Sequence, residues 1–260
     1  MRQTIYVSEP RSLGTLMYKK PLLALMLLPF FLGNAALAQS SMATNDWFIE
    51  QYDEAFDHLS DDNGPKARVH LTQIVRFEDE QPRWTRKALH LLSELYVSDS
   101  FGIKADRFEQ MKWLRRSAAQ GYSPAMLDLG KEYQTGLGAV GKDIDVALIW
   151  YQRAAEAGSA EAIVEMGLIF AWGFDLEQDV GRAERLLLAA GERGHSEAFA
   201  SLAYFHSHGA NPELWPELSN WQQDLPLALK LYRRASDLGS IQGAQGIVRV
   251  CALIAAPPAC

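Results

Sequence analysis

The stretch KDIDVALIWYQRAAEAGSAEA, residues 142–162, indicates the fold because the spacing of its aspartate, alanines and glycine recurs along the chain. Within it an aspartate precedes a glycine by fifteen residues, and the same interval occurs four times. The four pairs are Asp106 and Gly121, Asp143 and Gly158, Asp179 and Gly194, and Asp224 and Gly239. Successive aspartates lie 37, 36 and 45 residues apart. Periods of 20–50 residues indicate a repeat architecture.

Between each aspartate and its glycine, small and large residues recur at offsets that are typical of helices. Each aspartate is expected to begin a helix, because its carboxylate can accept hydrogen bonds from the free N–H groups of the first turn. Each glycine is expected to end that helix in a left-handed conformation. A second set of glycines should end the preceding helix in the same way: Gly136, Gly173 and Gly209. Each unit therefore predicts a pair of helices.

The segment LGKEYQTGLGAVGKDIDVALIWYQRAAEAG, residues 129–158, resembles the Sel-one-like repeat family, which is related to tetratricopeptide repeats. The resemblance covers residues 85–244, with departures at Gln110 and in the longer fourth unit. It implies an all-α fold, an α-solenoid of about four helix-turn-helix repeats wound into a right-handed superhelix. The usual role of such solenoids is to bind other proteins.

The chain is expected to divide into repeats flanked by caps, because the ends of a solenoid need atypical units that shield its core. Residues 39–84 should form an N-terminal helical capping hairpin, and residues 240–260 the C-terminal cap. The repeats are expected at residues 85–121, 122–158, 159–194 and 195–239. Cys251 and Cys260 could form a disulfide that pins the C-terminal cap in an oxidising compartment. The alternative is two unpaired thiols in a frayed tail.

Residues 1–38 have the pattern of a secretory signal peptide. Two lysines precede the apolar run PLLALMLLPFFLG, and alanines at positions 36 and 38 form a cleavage pattern. The run is short for a bilayer span, although a retained anchor is the alternative. Translation could start at Met1 or Met17. We expect export to the periplasm of a Gram-negative bacterium, or otherwise secretion, without stable membrane insertion after cleavage.

Removal of residues 1–38 leaves 21 basic and 31 acidic residues, a net charge of −10. A strongly acidic chain repels phosphate backbones, so we expect no nucleic-acid partner.

Binding residues are expected on the first helix of each unit, which lines the concave face in tetratricopeptide geometry. Leu168, Trp172 and Tyr204 are expected to face outward there as apolar anchors for a partner. The alternative for Trp172 is that it packs under the next loop. The same alignment places further side chains on this face: Lys87, His90, Glu94, Lys131, Gln134 and His208.

A second candidate surface is the insertion ANPELWPELSNWQQD, residues 210–224, which accounts for the longer fourth unit. Loops on rigid scaffolds often carry function, and Trp215 and Trp221 are costly to expose to water. Both tryptophans are therefore candidates for contact with a partner. The alternative is that they fold back and cover the edge of the solenoid.

No residue pattern indicates a catalytic, cofactor or metal site. His206 and His208 could supply two metal ligands, but no third ligand lies at a zinc-like spacing. The segment GLGAVGK, residues 136–142, lacks the order of a phosphate-binding loop. We therefore expect a non-enzymatic monomer without cofactors, an adaptor or regulator that binds another envelope or secreted protein in its groove. The alternatives are an immunity-type inhibitor of a secreted effector and, from a different class, a hydrolase or metal-binding protein that uses residues 206–221.

Overall fold

The computed structural model describes residues 44–137, 139–173, 175–209 and 220–254. Over these residues it contains eleven α-helices and no strand, which confirms the all-α prediction. Among them, no helix combines the length and apolarity needed to cross a membrane. The expected signal peptide, Trp215 and Cys260 lie outside the described residues, so those predictions stay predictions. The helices are α1 (Asn45–Ser60), α2 (Gly64–Val75), α3 (Pro82–Glu94), α4 (Arg107–Ala119), α5 (Ser123–Thr135), α6 (Ile144–Glu156), α7 (Ala160–Trp172), α8 (Val180–Glu192), α9 (Ser196–His208), α10 (Leu225–Asp237) and α11 (Ile241–Ile254).

Each helix packs mainly against its neighbours along the chain. The pairs α3/α4, α5/α6, α7/α8 and α9/α10 correspond to the four expected repeats, although α3 begins at Pro82 rather than at residue 85. The pair α1/α2 precedes them, and α11 follows and packs on both α9 and α10. A stack of helix pairs with atypical units at its two ends is the solenoid that the spacing predicts.

The recurring aspartate fixes the turn inside each repeat with two hydrogen bonds. In α6, the side-chain Oδ1 of Asp143 accepts from the backbone N–H of Val146 at 3.0 Å. The backbone N–H of Asp143 donates to the carbonyl of Tyr133, in the preceding helix, at 2.8 Å. One residue thus begins one helix and ties it to another. The other three aspartates do the same, with N–H groups that donate to the carbonyls of Tyr96, Phe170 and His206.

The glycine that follows the second helix of each repeat has a backbone that other residues rarely adopt. Gly158 has φ +98°, and a Cβ added there would meet nothing within 4 Å, so the left-handed conformation alone explains the glycine. Gly209 was expected to end α9 in that way, but the expectation is wrong because its φ is −53°. A Cβ on Gly209 would lie 2.8 Å from the carbonyl oxygen of Trp221. Glycine is needed at this position because the returning chain passes so close.

The helices of a repeat approach closely where a glycine faces a large side chain. A Cβ added to Gly130 in α5 would lie 2.4 Å from Cε1 of Tyr151 in α6, and Tyr151 is completely buried. In the next repeat, a Cβ on Gly167 would lie 2.9 Å from Cγ of Leu187. These contacts set the distance between paired helices.

Candidate functional site

A groove lies between α7, α9 and α11, with a cavity of about 260 Å³. Its lining includes Leu168 and Trp172 from α7, Ser201 and Tyr204 from α9, Tyr232 from α10 and Arg249 from α11. The helices α7 and α9 are the first helices of two successive repeats, and α11 occupies the corresponding place in the C-terminal unit. The structure therefore brings the three expected apolar anchors, Leu168, Trp172 and Tyr204, into one depression.

The aromatic side chains of the groove rest on buried aromatic residues. The ring of Trp172 meets the buried ring of Phe205 edge to face at 5.1 Å, and its centroid lies 6.3 Å from that of Tyr204. Phe205 is stacked in turn on Trp221 at 4.7 Å. Trp172 and Tyr204 pack against the core but remain partly accessible, and both line the groove. Such rigid aromatic residues lose little side-chain entropy when they bind.

Polar groups surround the aromatic part of the groove. His208 stacks on Tyr204 with its ring centroid at 4.2 Å and an interplanar angle of 27°. Glu197 and Arg249 also line the cavity; Glu197 accepts a hydrogen bond from Ser240 Oγ at 2.8 Å, and Arg249 is exposed. An apolar centre with a polar rim is the usual anatomy of a protein-binding surface.

Trp221 corrects the expectation that it contacts a partner. Its exposed fraction is 1%, and its indole Nε1 donates to the carbonyl of Ala171 at 3.1 Å. A side chain so completely buried and already hydrogen bonded has no surface to offer. The alternative, that this tryptophan folds back onto the solenoid, is supported because Trp221 packs against α7 and α9.

On the side of the expected concave face, α3, α5 and α7 also carry polar side chains that are joined by hydrogen bonds and ion pairs. His90 Nε2 lies 2.7 Å from Asp128 Oδ2, which joins α3 to α5, and Lys131 Nζ lies 2.7 Å from Glu161 Oε1, which joins α5 to α7. Gln134 accepts a hydrogen bond from the hydroxyl of Tyr151. Lys131 and Gln134 are both partly buried and have polar partners within the chain, and their expected contact with another protein stays a prediction. The pairs His90–Asp128 and Lys131–Glu161 each connect one repeat to the next.

Burial and neighbouring charges shift the pKa values of two side chains on α3, His90 and Glu94. Burial alone would lower the pKa of His90, but the hydrogen bond to Asp128 and the charges of Asp128 and Glu94 outweigh it and raise that pKa above its ordinary value. Burial raises the pKa of Glu94, partly offset by His90. The surroundings of His90 thus favour its protonated form through attraction to the two neighbouring carboxylates.

The histidines of α9 do not converge on a common point. His206 is buried, with its Nε2 at 3.1 Å from Glu184 Oε1 and its ring against Trp221, whereas His208 stacks on Tyr204. The first contributes to the core and the second to the rim of the groove. This arrangement gives no support to a hydrolase or metal site that uses His206 and His208.

A model of the Sel1 repeat family matches residues 86–122, 123–159, 160–195 and 222–240. The chain is a Sel1-repeat protein. The first three matched segments each cover most or all of a helix pair, whereas the fourth covers α10 alone, and together they confirm the resemblance inferred from the aspartate and glycine spacing.

Two solved structures share the architecture of this Sel1-repeat protein. A Sel1 repeat protein from Oxalobacter formigenes superposes with a TM-score of 0.61 at 23% identity, over 81% of this chain and 80% of that one. A protective antigen of uropathogenic Escherichia coli strains superposes with a TM-score of 0.57 at 17% identity, over 78% of this chain and 43% of that one. At these identities the similarity shows the fold alone.

A curated relative is similar in sequence. The chain is 29% identical over 167 residues to the chitin synthase regulator SKT5 of Saccharomyces cerevisiae, over 60% of this chain and 24% of the relative. The Sel1-repeat protein therefore spans about a quarter or less of the curated relatives it matches.

Proposed function

We propose that this Sel1-repeat protein is a non-enzymatic adaptor or regulator that binds a segment of another protein in the groove between α7, α9 and α11. The observation that carries the proposal is the pairing of Trp172 and Tyr204, which are supported by buried aromatic residues yet partly accessible. Partly buried aromatic residues of this kind contribute much of the binding energy at protein interfaces. The groove suits an apolar or aromatic side chain flanked by polar groups.

The chemistry of the described residues favours binding over catalysis. Sel1 repeats form a helical scaffold, and the side chains around the groove are mostly aromatic, aliphatic or already hydrogen bonded. A regulatory role also fits the curated relative, which is named as a regulator of another protein. We place this role in the periplasm, because residues 1–38 have the pattern of a signal peptide.

The proposal is tested by blocking the groove without removing its packing. Ser201 lines the groove and is only partly buried, so Ser201→Arg adds a long cation there while Trp172 and Tyr204 stay in place. The matched control is Phe108→Ala, which changes a side chain that is 80% exposed on α4. Proteins that co-purify from the native compartment should be lost with Ser201→Arg and retained with Phe108→Ala. Equal recovery with both variants would contradict groove binding.

The identity of the captured protein separates the two forms of the proposal. A secreted effector whose activity is blocked on binding would make this chain an immunity-type inhibitor. An envelope protein that stays active in the complex would make it an adaptor or regulator. In both cases recovery should depend on Ser201.

A further inference from the structure

A cluster of metal-ligating side chains lies on the N-terminal hairpin, away from the groove. Glu54 and His58 lie one turn apart on α1, and His70 lies on the facing helix α2. One ligand atom from each of the three residues lies within 4.8 Å of those of the others. The two imidazole rings are 5.4 Å apart, centroid to centroid. Among the described residues, this is the one group of three or more such side chains close enough to share an ion.

The orientation of His70 is fixed by a second residue. His70 Nδ1 lies 3.0 Å from Oε1 of Gln51, one helical turn before Glu54. With the Gln51 amide in this orientation, its oxygen accepts a hydrogen bond from Nδ1–H of His70, and in the neutral ring the lone pair then lies on Nε2. Nε2 of that tautomer can bind a metal, and such outer hydrogen bonds commonly orient the imidazole ligands of metals.

The two helices that carry these side chains are firmly packed. Ala55 lies between Glu54 and His58, Leu71 follows His70, and both are completely buried in the core shared by α1, α2 and α3. The backbone positions of the ligands are therefore set by the fold. The side chains themselves are half-buried or exposed, so an ion can reach them from solvent.

The donor set selects the kind of metal. Two imidazole nitrogens and one carboxylate suit Zn²⁺, whereas Ca²⁺ and Mg²⁺ prefer oxygen ligands. Bonds of about 2.0–2.2 Å in a tetrahedral site place ligand atoms about 3.4 Å apart. The accessible side chains of Glu54 and His58 can close the remaining distance by rotation, without movement of either helix.

We propose that Glu54, His58 and His70 bind one Zn²⁺, with Gln51 orienting His70, and that the ion ties α1 to α2. Three protein ligands leave a fourth position for water or for a group from outside the chain. The consequence for the fold is a stronger N-terminal cap when zinc is present, because a ligand that binds only the folded state stabilises it. This site is independent of the groove.

The test is zinc titration by isothermal calorimetry, using the full chain purified without a histidine tag and stripped of metal. Wild type should bind one Zn²⁺ per chain, and zinc should raise its melting temperature. His58→Ala and His70→Ala should each abolish binding. Gln51→Ala should weaken it about 10–100-fold, which is the usual effect of removing an outer hydrogen-bonding partner. The control His208→Ala removes a histidine from the groove rim and should leave binding unchanged.

Glu54→Gln keeps the shape of an exposed side chain and so guards against a folding defect. It should reduce zinc affinity while the circular dichroism spectrum stays that of wild type. Two results would overturn the proposal: no stoichiometric zinc binding by wild type, or binding that survives in His58→Ala and His70→Ala.

Discussion

The close approach of α5 and α6 gives the sharpest test of the packing. In Gly130→Ala, the new methyl group would lie 2.4 Å from Cε1 of Tyr151, whereas ordinary contacts begin at 3.4 Å. The ring must therefore move by about 1 Å within a fully buried site. Overpacking of this kind costs about 1–3 kcal/mol.

Movement of the ring also disturbs the hydrogen bond from the Tyr151 hydroxyl to Gln134. Loss of a buried polar partner costs a further 1–3 kcal/mol or so. Alanine returns about 1 kcal/mol through its higher helix propensity. The midpoints of these ranges give a net loss of about 3 kcal/mol in the free energy of unfolding, so packing outweighs propensity.

The assay is urea denaturation followed by circular dichroism at 222 nm. The control is Gly141→Ala, which lies in the turn before α6, where a Cβ would meet nothing within 4 Å. Its stability should stay within about 0.5 kcal/mol of wild type, as is usual for surface substitutions. If Gly130→Ala proved as stable as wild type or more stable, the contact between Gly130 and Tyr151 would not limit the side chain at position 130.

Three further predictions concern the caps, the charges and the core. Asp179→Ala removes the N-cap of α8 and should lower the free energy of unfolding by about 1 kcal/mol; an unchanged urea midpoint would contradict the capping role. The raised pKa of His90 means that its stabilising contribution is complete below about pH 6.5, the value for the unfolded chain, and is lost as pH rises through the higher folded value. Stability should therefore fall above about pH 6.5 in wild type and less so in Asp128→Asn, and parallel pH profiles would disprove the link. Trp221→Ala should cost about 3–5 kcal/mol and lower the melting temperature, because the side chain is buried beneath the groove, and a melting temperature like that of Phe108→Ala would refute this.

Much of the fold could be predicted because its determinants are local. Asp143 caps a helix through an atom only three residues away, and Gly158 is required by its own φ angle. Such signals repeat with the unit and can be read from spacing alone. The predictions for Gly209 and Trp221 were wrong because their roles depend on contacts with residues distant in the sequence. Their roles depend on how closely the backbone of Trp221 passes Gly209 and on the contact of its indole with α7, and the spacing of aspartates and glycines contains neither.

The two candidate sites also differ in how well they could be predicted from the sequence. Leu168, Trp172 and Tyr204 could be assigned to one face because the repeat template aligns these positions of α7 and α9, although all three side chains also pack against the core. The cluster of His58 and His70 was missed because it lies in the N-terminal hairpin, which does not follow the template. Bringing a residue of α1 to one of α2 requires the register of two packed helices, and the spacing of aspartates and glycines does not contain it.

The most direct test of groove binding is photo-crosslinking in the native compartment. A photoreactive residue in place of Ser201 reports on the groove, and one in place of Ile149, exposed on α6, reports on a surface that does not line it. If the partner binds in the groove, we expect one dominant adduct from position 201, little from position 149, and loss of the adduct when Trp172→Ala and Tyr204→Ala are combined. No adduct at position 201, or an equal yield from both positions, would contradict it.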